Sequence, residues 1–208
     1  MHYKQYLEIN PLGTIPFFTD GETKMTESTG ICHYLAETHG PTDLAVRPGE
    51  AGYGEYLNWM YFSDATLTFP QTLVLRYEIL EHKSRRQPQV ADDYRMWFSG
   101  RLRIVDQKLE HSRFMVADRF TMADIAIGYG LLLASVLPPL EPCLTETCKE
   151  YLGRMKERPA FKRAQERQKQ ALVVEVEGRV LFAALELEVE GERMIRADLA
   201  ELCPGLLD

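Results

Sequence analysis

The sequence predicts a mostly helical protein in which a short α/β unit precedes a longer all-helical one. Three observations carry this reading. Strand signals are confined to the first forty residues, where residues 14–20 are rich in β-branched and aromatic side chains and run into Asp20-Gly21, a strong hairpin signal, before residues 23–26. From about Glu50 onward those signals vanish and long amphipathic patterns of helical period replace them. Between the two stretches, residues 41–48 hold two prolines and few large apolar side chains, the composition of a connecting loop.

In chain order, residues 2–9 read as a short helix ended by Asn10-Pro11 and Gly13, because the residue before a proline avoids helical geometry. The hairpin follows. Ser28 then opens a helix with Ile31, Tyr34 and Leu35 at helical spacing, and His39-Gly40-Pro41 closes it. Helical patterns cover residues 53–80, 90–111 and 122–137, with two shorter helices through Met155 and Phe161. After Gln170 the chain alternates apolar and acidic residues around Gly178 and Gly191, which reads as strand. The expected organisation is a first domain over 1–40, a linker over 41–48, a helical domain over 49–170 and a distinct tail over 171–208.

Composition excludes several classes of function. With 45% hydrophobic residues in 208, the chain can bury a substantial core. The first residues lack the basic and apolar regions of a secretory signal. The longest apolar run, residues 126–137, falls well short of the roughly 20 residues that span a bilayer, so a buried helix is expected and no membrane partner. Cys32, Cys143, Cys148 and Cys203 form neither a CxxC pair nor a Cys/His metal pattern, which suits free thiols in a reducing cytoplasm and no metal site. A net charge of -7 disfavours nucleic acid. The local basic stretch of Arg154, Lys156, Arg158, Lys162, Arg163, Arg167 and Lys169 reads as a solvated helix face.

The segment INPLGTIPFFTDGETKMTESTGICHYLAETHG, residues 9–40, resembles the glutathione-binding half of the cytosolic glutathione transferase family, and RFTMADIAIGYG, residues 119–130, resembles its helical half. The resemblance implies a mostly α fold: a partial thioredoxin-like α/β domain followed by an all-helical glutathione-transferase C-terminal domain. It implies that the Ile15-Pro16 peptide bond is cis and that the Ile15 backbone pairs, strand-like, with the cysteinyl unit of glutathione. Glu27 and Ser28 stand at a strand-to-helix junction, where Ser28 is expected to be the N-cap; exposed N–H groups there suit a carboxylate, and Glu27 suits an ammonium. Family precedent gives both residues to the γ-glutamyl end. His2 lies near where relatives place a basic residue against the glycyl carboxylate, whereas Thr14 replaces their common lysine or glutamine.

In the helical half, Thr121 and Asp124 read as a capping box, with Phe120 and Ile125 as its hydrophobic staple; Asp124 is therefore a folding residue. No catalytic residue is assigned. The family's opening strand, helix and strand are not recognised before His2, and with them goes the serine, cysteine or tyrosine that lowers the thiol pKa of bound glutathione. Cys32 is expected to pack as a small apolar residue. The resemblance implies a homodimeric, cytoplasmic transferase that uses glutathione as co-substrate and conjugates it to a small-molecule electrophile near Tyr53, Tyr56, Met60 and Phe62. Helical spacing alone makes those four core residues. The alternative is a non-catalytic binding or dimerisation module.

Overall fold

The computed structural model describes residues 2–173 of the chain. Helix α1 (His2–Ile9) ends where Asn10 donates its N–H back to Tyr6 at 2.8 Å and Gly13, at φ 65°, turns the chain. Strands β1 (Phe18–Asp20) and β2 (Thr23–Met25) form an antiparallel hairpin with Phe18 opposite Met25 and Asp20 opposite Thr23. The two-residue turn places Gly21 at φ 57°, the left-handed geometry that glycine adopts without a steric penalty. The first strand is shorter than residues 14–20. Pro16 has no N–H to give to a ladder, so pairing begins only at Phe18.

Helix α2 (Ser28–Thr38) follows, and residues 41–48 then run without regular structure along the helical part. This connection is anchored, with Ala45 and Val46 buried. The Leu44 carbonyl accepts the Met122 N–H at 2.8 Å, and the Arg119 guanidinium donates to the carbonyls of Asp43 and Ala45 and to the Glu50 carboxylate at 2.8 to 3.0 Å.

The expected helix over 53–80 is one continuous path with two changes of pitch: α3 (Tyr53–Phe62), a π-helical segment (Ser63–Thr68), α4 (Phe69–Leu75) and a second π segment (Arg76–Leu80). Helices α5 (Pro88–Leu109), α6 (Met122–Val136), α7 (Glu146–Lys156) and α8 (Pro159–Val173) complete the bundle. Because α8 continues to Val173, the first residues assigned to the tail are helical, and the strand reading of the rest of 171–208 lies outside the described residues. The core is built around α6, where Ile127 and Leu131 meet Tyr56, Leu67, Phe98 and Leu102. Gly130 permits the closest approach, since a Cβ there would stand 2.8 Å from Leu67 Cδ2.

Asp124 is fully buried at the head of α6. Its Oδ2 accepts the Thr121 N–H at 2.8 Å and the Thr121 hydroxyl at 3.2 Å, while Oδ1 accepts the Met115 N–H at 2.9 Å and the Tyr151 hydroxyl at 2.8 Å. Burial pushes its carboxyl pKa up, and these four donors pull against that shift without cancelling it. The staple is looser than the box: Ile125 is 37% exposed, and Phe120 is covered by Phe114 and by the Arg158 guanidinium. Replacing Asp124 orphans two buried backbone donors and a phenol at once. Asp124→Ala is therefore expected to lower unfolding stability by about 3 kcal/mol or more, read as a lower urea midpoint at unchanged slope, with Asp124→Asn losing less.

Candidate functional site

The hairpin register gathers the predicted residues. With Phe18 opposite Met25, the chain reaches Ile15 three residues upstream and Glu27 two residues downstream, both at the open end of the hairpin and away from the Gly21-Glu22 turn. The Ile15-Pro16 bond is cis, and Ile15 is half exposed. Two residues hold this loop from behind. The Thr14 carbonyl accepts the Tyr6 hydroxyl at 2.5 Å and the Asn10 side-chain amide at 2.7 Å, while Asn10 Oδ1 accepts the Leu12 N–H at 3.2 Å. Asn10 is buried, so its amide is committed to this bracing role. The Thr14 side chain itself is exposed, and His2 is the first residue of α1.

At the start of α2 the cap is Glu27 and not Ser28. Glu27 has the extended backbone (φ -92°, ψ 116°), and its carbonyl accepts the first intrahelical bond, from the Ile31 N–H at 2.8 Å. Ser28 is consequently the first helical residue, and the Glu27 side chain makes no capping bond. The N–H groups of Ser28, Thr29 and Gly30 precede that first bond, leaving the donors of a helix N-terminus beside two exposed side chains, Glu27 and Ser28. The Glu27 carboxylate accepts the Thr26 hydroxyl at 3.2 Å.

The next residue ties this end of α2 to the helical part. Thr29 is buried, and its hydroxyl donates to the Asp64 carboxylate in the first π segment. Cys32, a turn further on, packs against the core, and burial followed by the charge of Asp64 pushes its thiol pKa up. Tyr56 is wholly buried, edge-on to His33 at 6.1 Å, and burial pushes its phenol up to about 12. Cys32 packs against the core and Tyr56 is enclosed in it, so neither is assigned a part in activating a bound thiol. Met60 is buried as well, and Phe62 packs edge-on against Trp59 at 5.3 Å, so these side chains belong to the core as their spacing indicates. A surface groove of about 650 Å3 lies on α5, lined by Arg95, Met96, Ser99, Arg103 and Cys143; none of its lining residues comes from the N-terminal unit.

Sequence reasoning missed Tyr6, Asn10 and Asp64. Asn10-Pro11 was legible as a helix stop, and an Asx turn is a known habit of asparagine at such a stop. Nothing in the 3.6-residue periodicity marks Asp64 as facing α2.

Comparison with known proteins decides the lineage. Residues 1–43 match the family model described as glutathione S-transferase, N-terminal domain. Glutathione S-transferase theta-2B of Homo sapiens is 30% identical over 152 residues, covering 62% of this chain and 58% of that protein. Glutathione S-transferase 3 of Zea mays is 23% identical over 163 residues, covering 76% of this chain and 73% of that protein.

Together these matches indicate a glutathione S-transferase family protein.

Among solved structures, the ternary complex of BphK, a bacterial GST, superposes with a TM-score of 0.64 at 22% identity, covering 79% of this chain and 78% of that one. A Phanerochaete chrysosporium protein cocrystallized with 1-(S-glutathionyl)-2,4-dinitrobenzene superposes at 0.70 with 18% identity, covering 83% of each chain. These likenesses establish the fold: a thioredoxin-like N-terminal unit, here with two strands among the described residues, joined to a helical C-terminal unit. The match to one Arabidopsis thaliana transferase spans 51% of that protein's length and 58% of this chain.

Thiol accessibility is a direct check on this protein's local geometry. Cys148 is buried, donates to Asp106 at 3.3 Å, and has its pKa pushed up to about 12 by burial. Iodoacetamide attacks the thiolate, which burial and the raised pKa both disfavour. Iodoacetamide labelling of the native protein, mapped by peptide mass spectrometry, is expected to leave Cys148 unmodified until denaturant is added, and Cys32 to react more slowly than Cys143.

Proposed function

We propose that this chain binds glutathione as a co-substrate and conjugates its thiol to a small electrophile. In this reading the Ile15 backbone, next to Pro16, pairs with the cysteinyl unit, while Glu27 and Ser28 take the γ-glutamyl end. The observation that carries it is the meeting of a cis Ile15-Pro16 loop and a free helix N-terminus at one end of the hairpin, within the segment that matches the transferase N-terminal domain. The chemistry fits. An exposed backbone at Ile15 can add a strand-like pair of hydrogen bonds, and the α2 N-terminus with Glu27 offers a partial positive and a full negative charge to a zwitterionic head group. The residue that activates the thiol is unassigned.

Calorimetric titration of glutathione into the 208-residue protein is expected to give saturable binding that Glu27→Ala and Ser28→Ala each weaken about tenfold, the effect of losing one charge-assisted contact. Unchanged binding in both variants would remove these residues from the site. Binding without turnover of a chlorodinitrobenzene substrate would favour the second reading, a non-catalytic module.

The same proposal includes a homodimer in the cytoplasm. What supports a dimer is an exposed ring cluster on α4 and α5: Phe69 packs on Tyr94 at 6.1 Å and Tyr94 on Trp97 at 5.4 Å, with Phe69 49%, Trp97 47% and neighbouring Met96 66% exposed. Exposed apolar rings side by side are what a subunit contact would cover. Trp97→Glu is expected to shift the protein from dimer to monomer in sedimentation velocity while leaving its circular dichroism unchanged.

A further inference from the structure

The end of α2 that carries the proposed glutathione contacts is held by a residue far along the chain. Thr29 is the second residue of α2, and its backbone N–H is one of the three donors, Ser28 to Gly30, that precede the first intrahelical bond. Threonine hydroxyls ordinarily bond to the backbone beside them. Here the side chain is buried, and its hydroxyl donates to the Asp64 carboxylate 35 positions away, in the first π segment.

Asp64 is itself placed by α6. Its neighbour Ser63 is buried and donates to the Ala126 carbonyl at 2.7 Å, and Leu67 lies so close to Gly130 that a Cβ there would stand 2.8 Å from Leu67 Cδ2. The Asp64 charge is felt on two more sides, at Cys32 of α2 and at Tyr129 of α6, where it adds to the larger effect of burial in raising both pKa values. The carboxylate therefore stands at the junction of α2 and α6. The neighbouring contacts across this junction are packing ones: Cys32 and Ala36 lie against the core, and His33 is edge-on to Tyr56 at 6.1 Å. Apolar packing is non-directional and sets only how near α2 lies, whereas a hydrogen bond to a charged acceptor also fixes orientation.

We propose that Asp64 is a positioning residue of the glutathione site, acting through Thr29. By holding the Thr29 hydroxyl it fixes the Ser28–Gly30 N–H groups where the γ-glutamyl carboxylate meets them. This role, which rests on the assignment of Glu27 and Ser28 to the γ-glutamyl end, makes the affinity of the N-terminal unit for glutathione depend on one side chain of the helical part. Bonds from backbone N–H groups to a carboxylate weaken steeply when they lengthen or bend, so a small displacement of the helix end is enough to lose affinity.

The test is calorimetric titration of glutathione into the full chain and its variants, well below the lowest thermal midpoint of the set so that every variant is folded. Asp64→Ala and Thr29→Val are each expected to weaken binding about fivefold to tenfold, and the double variant no more than either alone, because both remove the same bond. Thr29→Ser keeps the hydroxyl and is expected to bind within about twofold of the parent. A side chain that served folding alone would lower the midpoint without this pattern of affinities. Weakening by Asp64→Ala but not by Thr29→Val would mean that Asp64 acts on the ligand directly and would overturn the positioning role, as would additive losses in the double variant or a loss in Thr29→Ser equal to that in Thr29→Val. Binding that Glu27→Ala weakens but neither Asp64→Ala nor Thr29→Val alters would leave the glutathione site standing and remove Asp64 from it. Absence of saturable binding by the parent would overturn the site and this role together.

Discussion

The structure depends first on the buried carboxylate of Asp124. Desolvating such a group costs several kcal/mol, which only a full set of donors can offset. It has that set from three directions: the α6 cap at Thr121, the Met115 N–H of the incoming loop, and the Tyr151 hydroxyl of α7. One side chain thus fixes where α6 begins, how the preceding loop arrives and how α7 lies against both. The loop arrives through a tight turn in which Ala117 and Asp118 both have positive φ, 55° and 49°, a conformation that alanine enters at a steric cost. The turn persists because its ends are fixed on both sides, by Asp124 at Met115 and by the Arg119 guanidinium on residues 43–50.

With α6 placed, the irregular middle of the α3–α4 path becomes intelligible. Ser63 donates to the Ala126 carbonyl at 2.7 Å and Gln71 to the Gly130 carbonyl at 3.0 Å, two polar ties between neighbouring helices inside an apolar core. Between them lies the first π segment, where Gly130 admits Leu67 to a distance that any Cβ would forbid. A π turn spends an extra residue per hydrogen bond, so it shifts the phase of every side chain that follows. Within this segment Ser63 and Leu67 are buried against α6, while Asp64 receives the Thr29 hydroxyl of α2. The core of the helical part and the end of α2 that carries the proposed site are therefore linked through a single helix turn.

How much of this was legible depended on whether the signal was local. The Asp20-Gly21 hairpin, the Gly40-Pro41 stop and the Thr121/Asp124 box are chemistry within four residues, and each is where the sequence indicates. Ser28 was displaced by one position because Ser and Glu both stand at the junction, and only the backbone angles decide which is extended; the helix terminus and its free N–H groups are unaffected. The π segments were invisible because an apolar stripe reads the same through a helix of either pitch until a tertiary partner fixes its phase. Tyr6 and Asp64 were missed because each bonds a residue distant along the chain, which spacing does not register; Asn10 acts within four residues, and its Asx turn was overlooked because Asn10-Pro11 read only as a helix stop.

The electrostatics around the α2 N-terminus bear on what that end of the hairpin can hold. A bare helix N-terminus favours any anion. Here it is flanked by two carboxylates: Glu27 at the cap and Asp64 against Thr29, two residues on. A lone anion approaching the Ser28–Gly30 N–H groups would gain the dipole but meet like charge from Glu27 and Asp64. An α-amino acid head group escapes that conflict, since its ammonium can face a carboxylate while its own carboxylate faces the N–H groups. In the proposed reading this arrangement would favour a zwitterion over a simple anion, the discrimination that a γ-glutamyl end requires.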